Sequence, residues 1–408
     1  VATGLATSQE YFDLAARDLA PLLSAEPSLR VVQLEALTRR ETPQTTLMRL
    51  PGGAHALCLH RPSLAFSTTE MDLKHAYAQA LEELDEVPRA FARTASADLL
   101  TRAVAVRCSH QRPNRVGALE DVLRALLEHS TRTYEGTPVS VNVAMALAHS
   151  APGVDFTTFL NEPWAAVVGS GLNTAIRVSG AGDVIRTLDL RSTVDDAASA
   201  PERFLPLAAW TRGHAGRVGL AATRTGEIYL FVDGAVGFVY RSGRWRGLPV
   251  QEVLRSGWFH DGAPLPHDTK RAVLLALLDA TAAHHGACIG VVRPQRLDDA
   301  VDALVSAADR WDSPQNDRQR VFRQQSFLEL SRRQRLELLS MDGATLLARN
   351  GTILAAGAIL RVPGGSTGGG RSAAAAAISE FGVGIKVSQD GPISALSGPH
   401  RKLQFAMG

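Results

Sequence analysis

Met341-Asp342-Gly343-Ala344-Thr345-Leu346-Leu347 leads through Arg349-Asn350-Gly351 into Thr352-Ile353-Leu354-Ala355-Ala356-Gly357-Ala358-Ile359-Leu360. Two apolar runs around Asn-Gly read as a β-hairpin, because glycine accepts the left-handed backbone that a tight turn needs. The hairpin opens on an acid, Asp342, beside a glycine. Pro363-Gly364-Gly365-Ser366-Thr367-Gly368-Gly369-Gly370 follows, with no large side chain in it. Arg371-Ser372 then starts an alanine-rich helix over Ala373 to Ser379. A strand from Val383 to Val387 ends in the turn Ser388-Gln389-Asp390-Gly391. Strands and a helix alternating over so short a stretch predict an α/β domain, a mixed sheet flanked by helices.

A glycine-rich loop that feeds a helix is a candidate anion site. Glycines let backbone N–H groups approach a phosphate, and the helix end adds a partial positive charge. Arg371 contributes a forked donor suited to phosphate oxygens. The loop is not a Walker sequence, since no Gly-Lys-Ser/Thr occurs, and it lacks the G-x-G-x-x-G dinucleotide fingerprint. On composition alone a mobile surface loop explains it equally well. Asp342, read alone, is a turn residue, and Ser388 a turn-forming serine.

The stretch from Leu339 to Ser397 resembles the core of the diadenylate cyclase domain family. Asp342-Gly343-Ala344 matches the family's Asp-Gly-Ala triplet, and Gly384-Ile385-Lys386-Val387-Ser388 resembles its strand ending in Val-Ser. With the strand-like Gly286 to Val292, the likeness spans about residues 268–408. The family's second mark, Gly-Thr-Arg-His-Arg, is altered. Counting back from Ser388 puts Arg371 at its last arginine and Gly368, Gly369 and Gly370 at the Thr, Arg and His. Aligned on Ile378-Ser379-Glu380 instead, Arg371 is the first arginine, and Ser372 and Ala373 replace the rest.

The resemblance implies a nucleotidyltransferase that joins two ATP molecules into cyclic di-AMP or a related cyclic dinucleotide, or else a degenerate domain that binds nucleotide without turnover. It implies Asp342, Gly343 and Ala344 at the reacting centre. Thr367, Gly368, Gly369, Gly370, Arg371, Ser372 and Ser388 would contact the nucleotide. Asp342 would hold Mg²⁺ or Mn²⁺, and two protomers would face each other in a homo-oligomer. Such proteins are bacterial signalling enzymes, with a sensor region ahead of the cyclase.

Upstream, the expectation is two α+β modules, 1–115 and 116–262, ahead of the domain at 268–408. Tyr11 to Leu23, Met71 to Leu84 and Ala118 to Thr131 carry helical apolar spacing, and Ser67 with Glu70 forms a capping box. Ala103 to Val106 reads as a short strand. Pro138 to Ala144 alternates like a half-buried strand, and Asp233-Gly234 and Ser242-Gly243 are hairpin turns. Trp210, Trp245 and Trp258 read as core before pocket. The second module would respond to a ligand the sequence does not identify.

The 408 residues carry 43 Lys+Arg against 41 Asp+Glu, a net charge of +2 that argues against a nucleic-acid-coating surface. Three widely spaced cysteines exclude a C-x-x-C zinc site and a disulfide scaffold. His284-His285 lack the spacing of a metal pair. No apolar stretch is long enough to cross a membrane and no signal sequence is visible, so the expected location is the cytoplasm.

Overall fold

The computed structural model describes the chain apart from residues 1–2, 6, 24–28, 36–39, 54, 97, 110–111, 131, 135–136, 163, 170, 172, 194–195, 260–263, 311–316, 323–324 and 363–368. The described residues form two compact units, Val1–Pro249 and Val250–Gly408. The first unit takes in the expected module 1–115 and residues 116–249 of the expected module 116–262, whose last residues, 250–262, fall in the second unit.

In the first unit, helices Ser8–Leu22, Thr68–Glu86, Leu99–Cys108 and Val116–His129 accompany two main sheets and a two-stranded ribbon, Thr133–Tyr134 with Thr137–Pro138. The smaller is antiparallel, with Ala56–His60 between Arg30–Leu34 and Thr45–Arg49. The larger has eight strands, and Val141–Ala146 and Thr174–Ser179 are its parallel pair. One apolar core runs through Leu19, Tyr77, Leu123, Val143 and Leu220. Trp245 is buried within it, and its indole N–H donates to Thr101 Oγ1 at 3.1 Å. Trp210 is also buried, as is Trp258 in the second unit.

Local signals hold where the geometry is local. Ser67 caps its helix reciprocally with Glu70. Asp233-Gly234 and Ser242-Gly243 have positive φ at both positions, the backbone of two-residue hairpin loops. Two readings are corrected. Ala103 to Val106 lies inside the helix Leu99–Cys108, packed against Thr68–Glu86 and Val116–His129. A helix enclosed on several sides loses the periodicity that would betray it. Val141–Ala146 is buried at every position, so it is a central strand covered on both faces.

The second unit is a six-stranded mixed sheet. Its order is Ile353–Ala358, Ala344–Ala348, Ala287–Val292, Gly382–Val387, Ile393–Ser397, Lys402–Met407. Ala287–Val292 and Ala344–Ala348 run parallel and the other pairs are antiparallel. The last two strands had no counterpart in the sequence reading. Residues 272–282 of the helix His267–Ala282 are buried continuously. Across the sheet lies the alanine-rich helix Gly370–Ser379, seated by two glycines. A Cβ at Gly384 would stand 2.0 Å from the Ala375 carbonyl oxygen, and one at Gly290 would stand 2.5 Å from Ile378. Helix and sheet therefore approach more closely than side-chain-bearing strands permit.

No helix of the described residues is long and apolar enough to cross a membrane.

Candidate nucleotide cleft

That close seating fixes the start of the alanine-rich helix at one end of the sheet. There the strands Ala287–Val292 and Ala344–Ala348 begin, and Ile353–Ala358 and Gly382–Val387 end. A cleft of about 950 Å³ opens at this end, within the size range of small-molecule sites.

Asp342, Gly343 and Ala344 line it from one side. Asp342 is exposed, while Ala344 is buried as the first residue of its strand. Gly343 has φ +104°, and a Cβ there would meet the Ala358 carbonyl oxygen at 2.5 Å. Only glycine fits a backbone so turned and so crowded. The triplet thus swings the chain past the end of the neighbouring strand and leaves the Asp342 carboxylate at the cleft.

Gly369, Gly370, Arg371 and Ser388 line the opposite side. The helix N-cap is Gly369, at φ +79°, with no side-chain cap, and the first helical bond runs from the Ala373 amide to the Gly369 carbonyl at 3.1 Å. The amides of Gly370, Arg371 and Ser372 precede that bond and are the free end of the helix dipole. Arg371 is exposed, and its guanidinium fills the space left by Gly286, where a Cβ would lie 2.4 Å from Nη1. Ser372 is in the first helical turn but does not line the cleft. Thr367 and Gly368 lie outside the described residues.

Two further groups line the cleft that the sequence did not mark as site residues. Lys386 is half-buried, opposite Cys288 in register and on the Gly384 side of its strand, under the helix start. Its signal was a lysine in an otherwise apolar strand, in a chain with only four lysines. Among the described residues, neither Arg371 nor Lys386 has an acidic partner. The other group is an apolar wall of Ala358, Ile359, Leu360 and Val362, with Ile359 58% exposed. Cys288 also faces the cleft. Burial pushes its thiol up to about 12 against the opposing pull of Arg371, so it stays protonated at neutral pH.

The cleft therefore has a cationic end, an apolar wall and one carboxylate. Among the described residues no cluster of three or more His, Cys, Asp or Glu could hold a metal alone. A single exposed carboxylate still suits Mg²⁺ or Mn²⁺, which commonly take one or two protein carboxylates and complete their shell with phosphate and water.

No family model matches the chain, and no curated protein matches it. Among solved structures it is similar to DacA from Staphylococcus aureus, crystallised as a double mutant. The two share 20% identity at a TM-score of 0.23, over 33% of this chain and 83% of that one.

Proposed function

We propose that the second unit binds ATP in this cleft and that two protomers, face to face, condense two ATP molecules into cyclic di-AMP or a related cyclic dinucleotide. The observation that carries the reading is the union, in one cleft, of the Asp342 carboxylate with Arg371 and Lys386, which have no acidic partner among the described residues, at the helix start. The triphosphate would lie against Arg371, Lys386, Ser388 and the amides of Gly370 and Arg371. The base would pack on the apolar wall at Ile359.

In that pose Asp342 would stand near the ribose, accept a hydrogen bond from the attacking 3′-hydroxyl and hold the metal. Mg²⁺ or Mn²⁺, when bound, would neutralise phosphate charge. Each 3′-oxygen would attack the α-phosphorus of the ATP on the facing protomer and displace pyrophosphate. The chain's share of catalysis would be positioning and charge stabilisation. The first unit would serve as sensor.

A second reading, nucleotide binding without turnover, is favoured by Gly369 and Gly370, which offer backbone amides where the resembled family has charged side chains. Incubation of the purified protein with each nucleoside triphosphate and Mn²⁺ or Mg²⁺, followed by mass spectrometry, separates the two. The synthase reading expects a cyclic dinucleotide whose specific rate falls on dilution, and its loss in Asp342→Asn. Calorimetric binding of a non-hydrolysable ATP analogue with no product at any protein concentration supports the sensor reading. No binding and no product overturn both.

A further inference from the structure

The second face of the large sheet in the first unit carries an unusual charge pattern. Register places Ala146 opposite Arg217, Ala144 opposite Arg177, and Arg177 opposite Arg186. Side chains alternate between faces, so Arg177, Arg186 and Arg217 share the face of Ala144 and Ala146. Both alanines are buried, as is Ala175 two residues before Arg177. The arginines therefore share a face with a floor of small side chains, which Leu207 covers in part at Gly219, opposite Ala144.

Arg177 and Arg217 stand on strands separated by one other strand, roughly 10 Å at the backbone, within reach for two long side chains. Arg217 is held from one side. Its guanidinium lies 4.9 Å from the centre of the Trp210 ring and donates to the Trp210 carbonyl at 2.9 Å. Burial, and then the charge of Arg177, push it below its ordinary pKa. Among the described residues the buried Arg177 Nε has no hydrogen-bond acceptor. The Arg112 guanidinium adds a fourth positive charge near the strand start, 3.3 Å from where a side chain on Gly216 would begin. Among the described residues none of these four has a carboxylate partner.

The two buried arginines of the same unit are paired with acids, Arg61 with Glu70 and Arg241 with Glu227. Half-burying like charges together without an acid is costly unless an anion joins them. We infer that Arg177, Arg186 and Arg217, flanked by Trp210, form a binding site for a small phosphate- or carboxylate-bearing ligand, separate from the nucleotide cleft. Guanidinium forks match the oxygens of either group. The Trp210 ring holds one fork in place. Such a site would be where the first unit receives its signal.

The test uses the full chain, equilibrium dialysis and three probes: inorganic phosphate, pyrophosphate and citrate. Four proteins are compared: wild type, Arg177→Met, Arg186→Met and the double variant Arg371→Ala/Lys386→Met. Methionine keeps an apolar stem over the floor, and Arg186 is exposed, so its loss leaves folding intact. The expected result is saturable binding of at least one probe, weakened at least tenfold in Arg177→Met and severalfold in Arg186→Met, and retained in the double variant. Binding lost only in the double variant belongs to the nucleotide cleft and overturns the inference. So does binding unchanged in Arg186→Met, or no binding of any probe at millimolar concentration. ATP binding or turnover by the same samples is scored separately, so failure here is distinguishable from failure of the synthase reading.

Discussion

Arg332 and Arg371 both lie in the first turn of a helix in the second unit, where the dipole disfavours a cation. Arg332 is answered. Its guanidinium forks onto Asp279, Nε to Oδ2 at 2.9 Å and Nη2 to Oδ1 at 2.7 Å, tying Arg332–Leu339 to the buried helix His267–Ala282. Arg371 is not answered by any acid among the described residues. One arginine is part of the scaffold. The other stands at the rim of a cleft with its charge unspent, beside Lys386. The difference shows how a cation that builds the fold can be told from one kept for a ligand: by what the surrounding elements bring to it.

The largest expected break in this contrast comes from Asp279→Ala. It leaves Arg332 largely buried without its carboxylate, and removing one partner of a buried pair costs about 3–5 kcal/mol. The midpoint of urea unfolding should fall accordingly. If it holds within error, the pair does not anchor the helix.

Arg371→Ala should do the opposite. Loss of a charge-assisted phosphate contact should weaken an ATP analogue by about 1.5–3 kcal/mol, roughly ten- to a hundredfold. Stability should stay level or rise slightly as the dipole mismatch disappears. Calorimetric titration and thermal melts of one preparation give both values, and unchanged affinity would remove Arg371 from the site. The backbone decides where a further phosphate contact can be added. Gly369 at φ +79° would strain any side chain, whereas Gly370 is helical with open space at its Cβ position. Gly370→Arg alone should therefore tighten the analogue and steepen its salt dependence.

Gly384→Ala tests whether the seating of the helix places Arg371. The new methyl meets the Ala375 carbonyl, so overpacking should cost about 1–3 kcal/mol. Analogue binding should weaken with it even though Gly384 does not line the cleft. Reduced stability with full affinity would separate helix seating from the site.

The smallest effect is expected from a paired cation of the first unit. Lys74 donates to Glu41 at 3.0 Å. Burial raises the Glu41 pKa, but the Leu47 amide, Lys74 and Thr46 together outweigh it and hold it at about 2. The folded value lies below the unfolded one. Its contribution is thus fully present above about pH 4.5 and is lost as pH falls towards 2. Unfolding midpoints of wild type and Glu41→Gln should differ at pH 6 and converge in that acid window. A difference that persists below pH 2 would assign the effect to shape rather than charge.

What the sequence determined by itself is what neighbours along the chain decide. The hairpin around Asn350-Gly351, the capping box of Ser67 and Glu70, the two-residue turns and the alanine-rich helix all rest on bonds spanning a few residues. The mixed α/β class followed from their alternation. Gly369, Gly370 and Arg371 were legible as an anion-site candidate from a glycine run feeding a helix, whereas Asp342 and Ser388, turn residues when read alone, became candidates only through the family resemblance. The strands Ile393–Ser397 and Lys402–Met407, the helical state of Ala103 to Val106 and the seat of Arg371 over Gly286 were not. Nor was the company of Lys386 or of Arg177. Whether a lysine in a strand meets an acid, an alanine or a helix end depends on which strands lie beside it. Strand order is set by burial across the whole unit, and only the tertiary structure decides that.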